Sequence, residues 1–243
     1  MTKRHFGSIA LALGLLFASL ASHAQEGVAL PAAGTNVFDQ ASLQRGAKLF
    51  FNYCVGCHSL KYQRYARIAQ DLGLSEQDVM SNLNFTGAKF GEPVISQMPA
   101  EVAQQAFGKA PPDLSLEVRA KSADWVYAYL NAFYLDPSRP VGWNNTVFAN
   151  ASMPNPLWEL QGLQVAVKAP GSDTVDRLKL QTPGTLNPEQ FRAATRDLTA
   201  FLEYVSEPAV LQRHHYGLWV LLFLCLFTFL AYMLKREYWK DVH

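Results

Sequence analysis

Two thiols three positions apart, with an imidazole directly after the second, stand at Cys54-Val55-Gly56-Cys57-His58. The spacing suits one chemistry in particular. Both thiols can reach the two vinyl groups of a single porphyrin and form thioethers, and the histidine is then held under the iron as an axial ligand. Gly56 is expected to let the backbone turn tightly against the macrocycle. A redox dithiol or half of a zinc site uses the same C-x-x-C spacing. A zinc site needs two further ligands, and the only other cysteine, Cys225, lies within a long apolar run. A thioredoxin-like dithiol follows a strand, whereas residues 41–53 carry Leu43, Ala47 and Phe50 at helical spacing, widened by Phe51 and Cys54. A Cys54–Cys57 disulfide is the plainest competing use of the pair. The expectation is one haem c, covalent through Cys54 and Cys57, with His58 on the iron.

The sixth position on that iron is narrowed by elimination. His5 and His23 sit in an N-terminal leader and His243 at the other end. His214 and His215 adjoin the long apolar run and read as interfacial polar residues. Met80 falls in a short helix opened by Ser75-x-x-Asp78 and reads as core. Met98 and Met153 each precede a proline in a loop, where a thioether could reach a metal. Residue chemistry leans to Met153 by a small margin and leaves both open. A Met/His pair would raise the potential and suit electron transfer.

These groups need elements to hold them. The stretch 59–72 continues from the motif with Leu60, Tyr62, Tyr65, Ile68 and Leu72, and is read as helical with Arg64 and Arg67 outside. A short helix is expected over 100–107, before Pro111-Pro112-Asp113-Leu114-Ser115. Residues 124–135, rich in aromatics, predict a buried helix ended before Pro137, and 139–156 reads as loop. Alternation at Leu163, Val165 and Val167, and again at Leu178 and Leu180, predicts a hairpin over 163–180. Asn187, Pro188 and Gln190 open a final amphipathic helix whose stripe is Phe191, Ala194, Leu198, Leu202 and Val205, with Phe201 beside it. That face must pack on something, most simply the helix before Cys54.

The ends carry location signals. Lys3 and Arg4 precede an uncharged run over 9–21, and small residues at Ser22 and Ala24 mark a cleavage point before Gln25. Near the other end, residues 216–234 carry no charge, and at about 1.5 Å per residue they reach roughly 28 Å, close to a bilayer core. Lys235, Arg236 and Lys240 follow, and aromatics mark both ends, Tyr216 and Trp219 on one side and Tyr232, Tyr238 and Trp239 on the other. Basic flanks stay cytoplasmic and aromatics favour the interfaces. The expected organisation is a signal peptide over 1–24, a periplasmic cytochrome domain over 25–213, a membrane anchor over 214–235 and a cytoplasmic tail over 236–243. The host would be a bacterial inner membrane, crossed once. The fold class is mainly α: a c-type cytochrome domain with long loops and a small hairpin, plus one C-terminal transmembrane helix. Between Gln25 and Arg213 there are 18 acidic and 16 basic residues, so the net charge of +1 hides an outer domain near −2. No basic run points to nucleic acid.

Several motifs together resemble the cytochrome c1 family, the haem subunit of ubiquinol–cytochrome c reductase. They are Cys57-His58-Ser59-Leu60-x-Tyr62-x-x-Tyr65-x-Arg67, Pro111-Pro112-Asp113-Leu114-Ser115 with Val118-Arg119-Ala120, Asp124-Trp125-Val126-Tyr127, and Met153-Pro154-x-Pro156. The order at the end also fits: amphipathic helix, Ser206-Glu207-Pro208, one span and a short basic tail. The resemblance implies that Met153 is the sixth ligand and that Arg119 lies near a haem propionate. It implies an electron received from a Rieske iron–sulfur protein and given to a soluble cytochrome c, with cytochrome b alongside in a dimeric complex. The chain would then serve as the electron-transfer subunit of a larger oxidoreductase and turn over no substrate alone. Ser152 stands where the family often has glycine or alanine. Two other readings remain: a tethered cytochrome feeding a terminal oxidase, which would not accompany cytochrome b, and a haem peroxidase, which needs an open distal position.

Overall fold

The structure, a computed structural model, describes residues 30–172 and 174–241. The predicted leader over 1–24 lies outside them, as do the side chains of His214 and His215. Asp39 opens α1 (Gln40–Tyr53) by accepting from the Ser42 amide, and Cys54 closes it. The chain then runs extended as β1 (Leu60–Arg64) before α2 (Tyr65–Leu72), which Gly73 ends in the left-handed conformation with φ 63°. Ser75 and Asp78 form the expected capping box of α3 (Glu76–Asn82). After β2 (Pro93–Val94) come α4 (Ala100–Phe107), α5 (Glu117–Lys121) and α6 (Ala123–Asn131). Ser122 joins the last two at φ 90° while its hydroxyl accepts from the Trp125 amide and caps α6.

Four strands follow these helices. They are β3 (Phe133–Leu135), β4 (Trp143–Asn145), β5 (Gly162–Lys168) and β6 (Val175–Pro183), with α7 (Trp158–Gln161) ahead of β5. The sheet order is β4-β3-β5-β6. β5 and β6 form the predicted hairpin, and β3 lies parallel to β5 and antiparallel to β4. Three expectations need correction. Residues 59–72 are not one helix, because the 60–64 stretch pairs with β2 and gives its amides to side chains of the Asp113–Ser115 segment. The 124–135 helix stops at Asn131, where Asn145 and Asn131 side chains take the Tyr129 and Tyr127 carbonyls, and Phe133–Leu135 joins the sheet instead. The stretch read as loop over 139–156 holds β4.

The core forms where α8 (Pro188–Ser206) crosses α1. Its capping box of Asn187 and Gln190, with Pro188 first, is as read from the sequence. Phe50 meets Phe51 edge-on at 5.4 Å and Phe201 at 5.8 Å, while Phe51 reaches Tyr65 of α2 at 5.6 Å. All four are essentially fully buried, and each such side chain contributes about 1.5–3 kcal/mol. Gly46 lets the two helices touch: a Cβ there would lie 2.1 Å from the Asp197 carbonyl oxygen. Beside that contact, Ser42 and Arg45 donate to the Asp197 carboxylate at 2.6 Å each.

Three residues beyond α8, α9 (Val210–Tyr238) leaves the domain as a helix of 29 residues. That is about 43 Å of helix, longer than a bilayer core. Its Tyr216–Tyr238 part is long and apolar enough to cross a membrane and buries nothing against the domain. Cys225 is exposed on it as a free thiol, as expected for an apolar residue facing lipid or a neighbouring helix.

Candidate functional site

The end of α1 sets the geometry. The amides of Cys57 and His58 both bond the Cys54 carbonyl, at 3.0 and 2.8 Å, so the motif folds into one tight turn. Gly56 is not in a left-handed conformation, and no atom lies within 4 Å of a Cβ built there. The turn therefore comes from the hydrogen bonds, and the expected need for glycine finds no protein neighbour to explain it. Cys54 and Cys57 stand as free thiols. Burial pushes the Cys54 thiol up to about 12, with neighbouring Cys57 adding, and raises Cys57 too.

His58 is buried and oriented by the main chain. Its Nδ1 lies 2.7 Å from the Pro112 carbonyl oxygen, which can only accept. Nδ1 therefore carries the proton, and Nε2 keeps the lone pair that a metal needs. Burial lowers the imidazole pKa, against the Pro112 bond and the charges of Glu117 and Asp113. The neutral, ligating form is favoured. Pro112 is in turn held by its neighbours. Asp113 accepts from the Lys61 amide at 2.9 Å and the Ser115 amide at 3.0 Å, the Ser115 hydroxyl accepts from Tyr62, and the Leu114 amide reaches Ser59 at 2.9 Å. Two motifs distant in sequence are thus stitched into one wall.

That wall borders a cavity of about 410 Å³, within the range of about 300–1,000 Å³ for cofactor-sized sites. Cys54, Cys57, His58 and Met153 all line it, and Leu114, Val126, Leu130, Leu198 and Leu202 supply apolar sides. Met98 is not among the lining residues; its amide bonds the Ser96 hydroxyl, which reaches back to Gly56. Arg119 does not line the cavity either. Its side chain is 65% exposed, and its guanidinium stands 3.9 Å from Glu207. Lys109 and Lys121 do border the cavity, over the Phe148 and Trp125 rings at 5.9 and 5.5 Å.

Sequence reasoning missed the aromatic wall on α6. Trp125 stacks on Tyr129 at 5.1 Å, and Phe133 meets Tyr129 edge-on at 4.9 Å. The Tyr129 hydroxyl donates to the Met153 sulfur at 3.6 Å. Burial, with Glu117 adding, pushes that phenol up to about 12, so it keeps its proton. The helical spacing of Trp125 and Tyr129 was readable, but not the loop that meets it.

The donor set passes a chemical test for haem. Two thiols, an imidazole with a free Nε2 and a thioether share one apolar cavity, with two ammonium groups at its border. These features define a class: a mainly helical cytochrome domain carried on one membrane-length helix. The model of the Cytochrome C1 family matches residues 32–242. The chain is 49% identical to the cytochrome c1 of Allochromatium vinosum, over 88% of this chain and 90% of that protein. It is 41% identical to a protein of Nitrosomonas europaea named ammonia monooxygenase gamma subunit, over 96% and 97%. A mitochondrial cytochrome c1 haem protein of Schizosaccharomyces pombe matches at 27%, over 84% of this chain and 68% of that one. The chain belongs to the cytochrome c1 family, whose members are membrane-anchored haem subunits of the bc1 complex.

Proposed function

We propose that this chain holds one haem c through thioethers at Cys54 and Cys57, with His58 and Met153 as axial ligands, and relays single electrons. The bound haem supplies a reversible one-electron Fe(III)/Fe(II) couple. The residues do the rest. Pro112 fixes the His58 tautomer, Met153 offers the soft sulfur, and the leucines of α6 and α8 keep water from the ring. The observation that carries the reading is the single cavity bringing both thiols, the imidazole and the thioether together.

Membership of the family supports a Rieske iron–sulfur protein as donor, a soluble cytochrome c as acceptor and cytochrome b as membrane neighbour, in a dimeric complex. The chain acts as the electron-transfer subunit and turns over no substrate alone. The leader, the apolar helix and the Lys235-Arg236 flank support a haem domain over 25–213 in the periplasm, an anchor over 214–235 and a tail over 236–243 in the cytoplasm of a bacterial cell. For Arg119 as a propionate partner, the guanidinium has to leave Glu207 and turn to the cavity; Lys109 and Lys121 border it already.

The Met153→Ala protein tests the ligand set. It is expected to keep its haem, lose the near-infrared sulfur-to-iron charge-transfer band and fall in reduction potential. An unchanged band and potential would remove Met153 from the iron. Mild solubilisation tests the setting. Recovery with b-type haem and an iron–sulfur protein supports the bc1 assignment. Recovery with an oxygenase instead would favour the role named for the Nitrosomonas relative.

A further inference from the structure

We infer that Tyr129 is a positioning residue for the electron-transfer centre: its hydroxyl, donating to the Met153 sulfur, sets how strongly that thioether can donate to iron. The inference rests on Met153 as the axial ligand. The Oη–Sδ separation is 3.6 Å, within reach of a hydrogen bond to sulfur. Among the described residues the hydroxyl has no other hydrogen-bond partner. The ring cannot easily turn away, since Trp125 covers one face with planes only 7° apart and Phe133 stands edge-on at 68°. A phenylalanine would fill the same space. What the tyrosine adds is one polar atom in an apolar wall, and such an atom is retained where it has a partner.

The thioether sulfur has two lone pairs. With haem bound, one would serve the iron while the other accepts from Tyr129. A proton held on the second pair draws electron density off the sulfur. The weaker donor favours the lower charge on iron, so the reduced state gains. Hydroxyl removal then has a definite sign: the reduced state loses.

Tyr129→Phe in the intact membrane complex tests this, because the ring and its stacking are kept. Poised at one fixed potential, the ratio of reduced to oxidised haem is expected to fall roughly two- to tenfold, the effect of losing one modest hydrogen bond. The sulfur-to-iron charge-transfer band is expected to persist. An unchanged ratio with the band present in both proteins overturns the inference alone. Loss of the band only in the variant also overturns it, since the hydroxyl would then be holding the loop rather than polarising the sulfur. A wild-type protein lacking the band removes the Met153 reading, and the inference falls with it.

Discussion

Asp113 does not line the cavity, yet it governs His58. Its carboxylate accepts from two amides, Lys61 and Ser115, and so fixes the segment that carries the Pro112 carbonyl. Hydrogen bonds to a charged group contribute about 1.5–3 kcal/mol each at best, and this one is partly exposed to water. Asp113→Ala is therefore expected to cost about 1–2 kcal/mol, seen as a lower urea midpoint. It should also broaden the low-spin electron paramagnetic resonance signal as the imidazole loses its fixed orientation. A sharp, unshifted signal would mean that Pro112 is held by something else. Cys54, Cys57 and His58, proposed to hold the haem, announce themselves by type and spacing, whereas type and spacing left Met98 and Met153 both open and the family resemblance chose Met153. The Pro112 carbonyl does not announce itself, because every residue has one. Tyr129 was hidden for a related reason: its partner lies 24 positions away in a loop.

At the scale of elements, the close crossing of α1 and α8 is the most exposed to test. Gly→Ala in a helix interior ordinarily stabilises by about 0.5–1 kcal/mol. At Gly46 the added methyl would meet the Asp197 backbone at 2.1 Å and the Phe201 Cβ at 2.7 Å. Both sit on a rigid helix, so the helices must part. Gly46→Ala is expected to destabilise by about 1–3 kcal/mol, measured by thermal or denaturant unfolding. A stabilised variant would mean that the helices slide apart easily. The helices were legible because their signals are local: the Ser75 and Asn187 boxes and the stripe from Phe191 to Val205. The strands β1, β3 and β4 were not, since three- to five-residue strands owe their form to partners far along the chain. The hairpin was the exception, having its partner close by.

The molecule as a whole divides its apolar surface between two solvents. Inside the domain the core is built of buried Phe, Tyr and Leu side chains; along α9 such side chains are more than half exposed almost throughout. The core ends with Val205, and among the described residues of α9 only Leu211 packs against it. Ending the chain after Arg213 is therefore expected to release a folded, haem-bearing domain into the aqueous phase of a detergent partition, with its unfolding midpoint nearly unchanged. A truncated chain that aggregates would show that the anchor supplies part of the fold.

The junction between domain and anchor has a mechanical consequence. α8 and α9 are separated by three residues, and the Val210 amide bonds the Glu207 carbonyl at 3.0 Å across that gap. The Glu207 carboxylate pairs with Arg213 in the first turn of α9, ahead of the proposed anchor, and stands 3.9 Å from Arg119 on α5. Such a stalk is a bracket and not a tether. The haem proposed for the domain would then be held at one height above the lipid, and the travelling between the proposed donor and acceptor would fall to those partners.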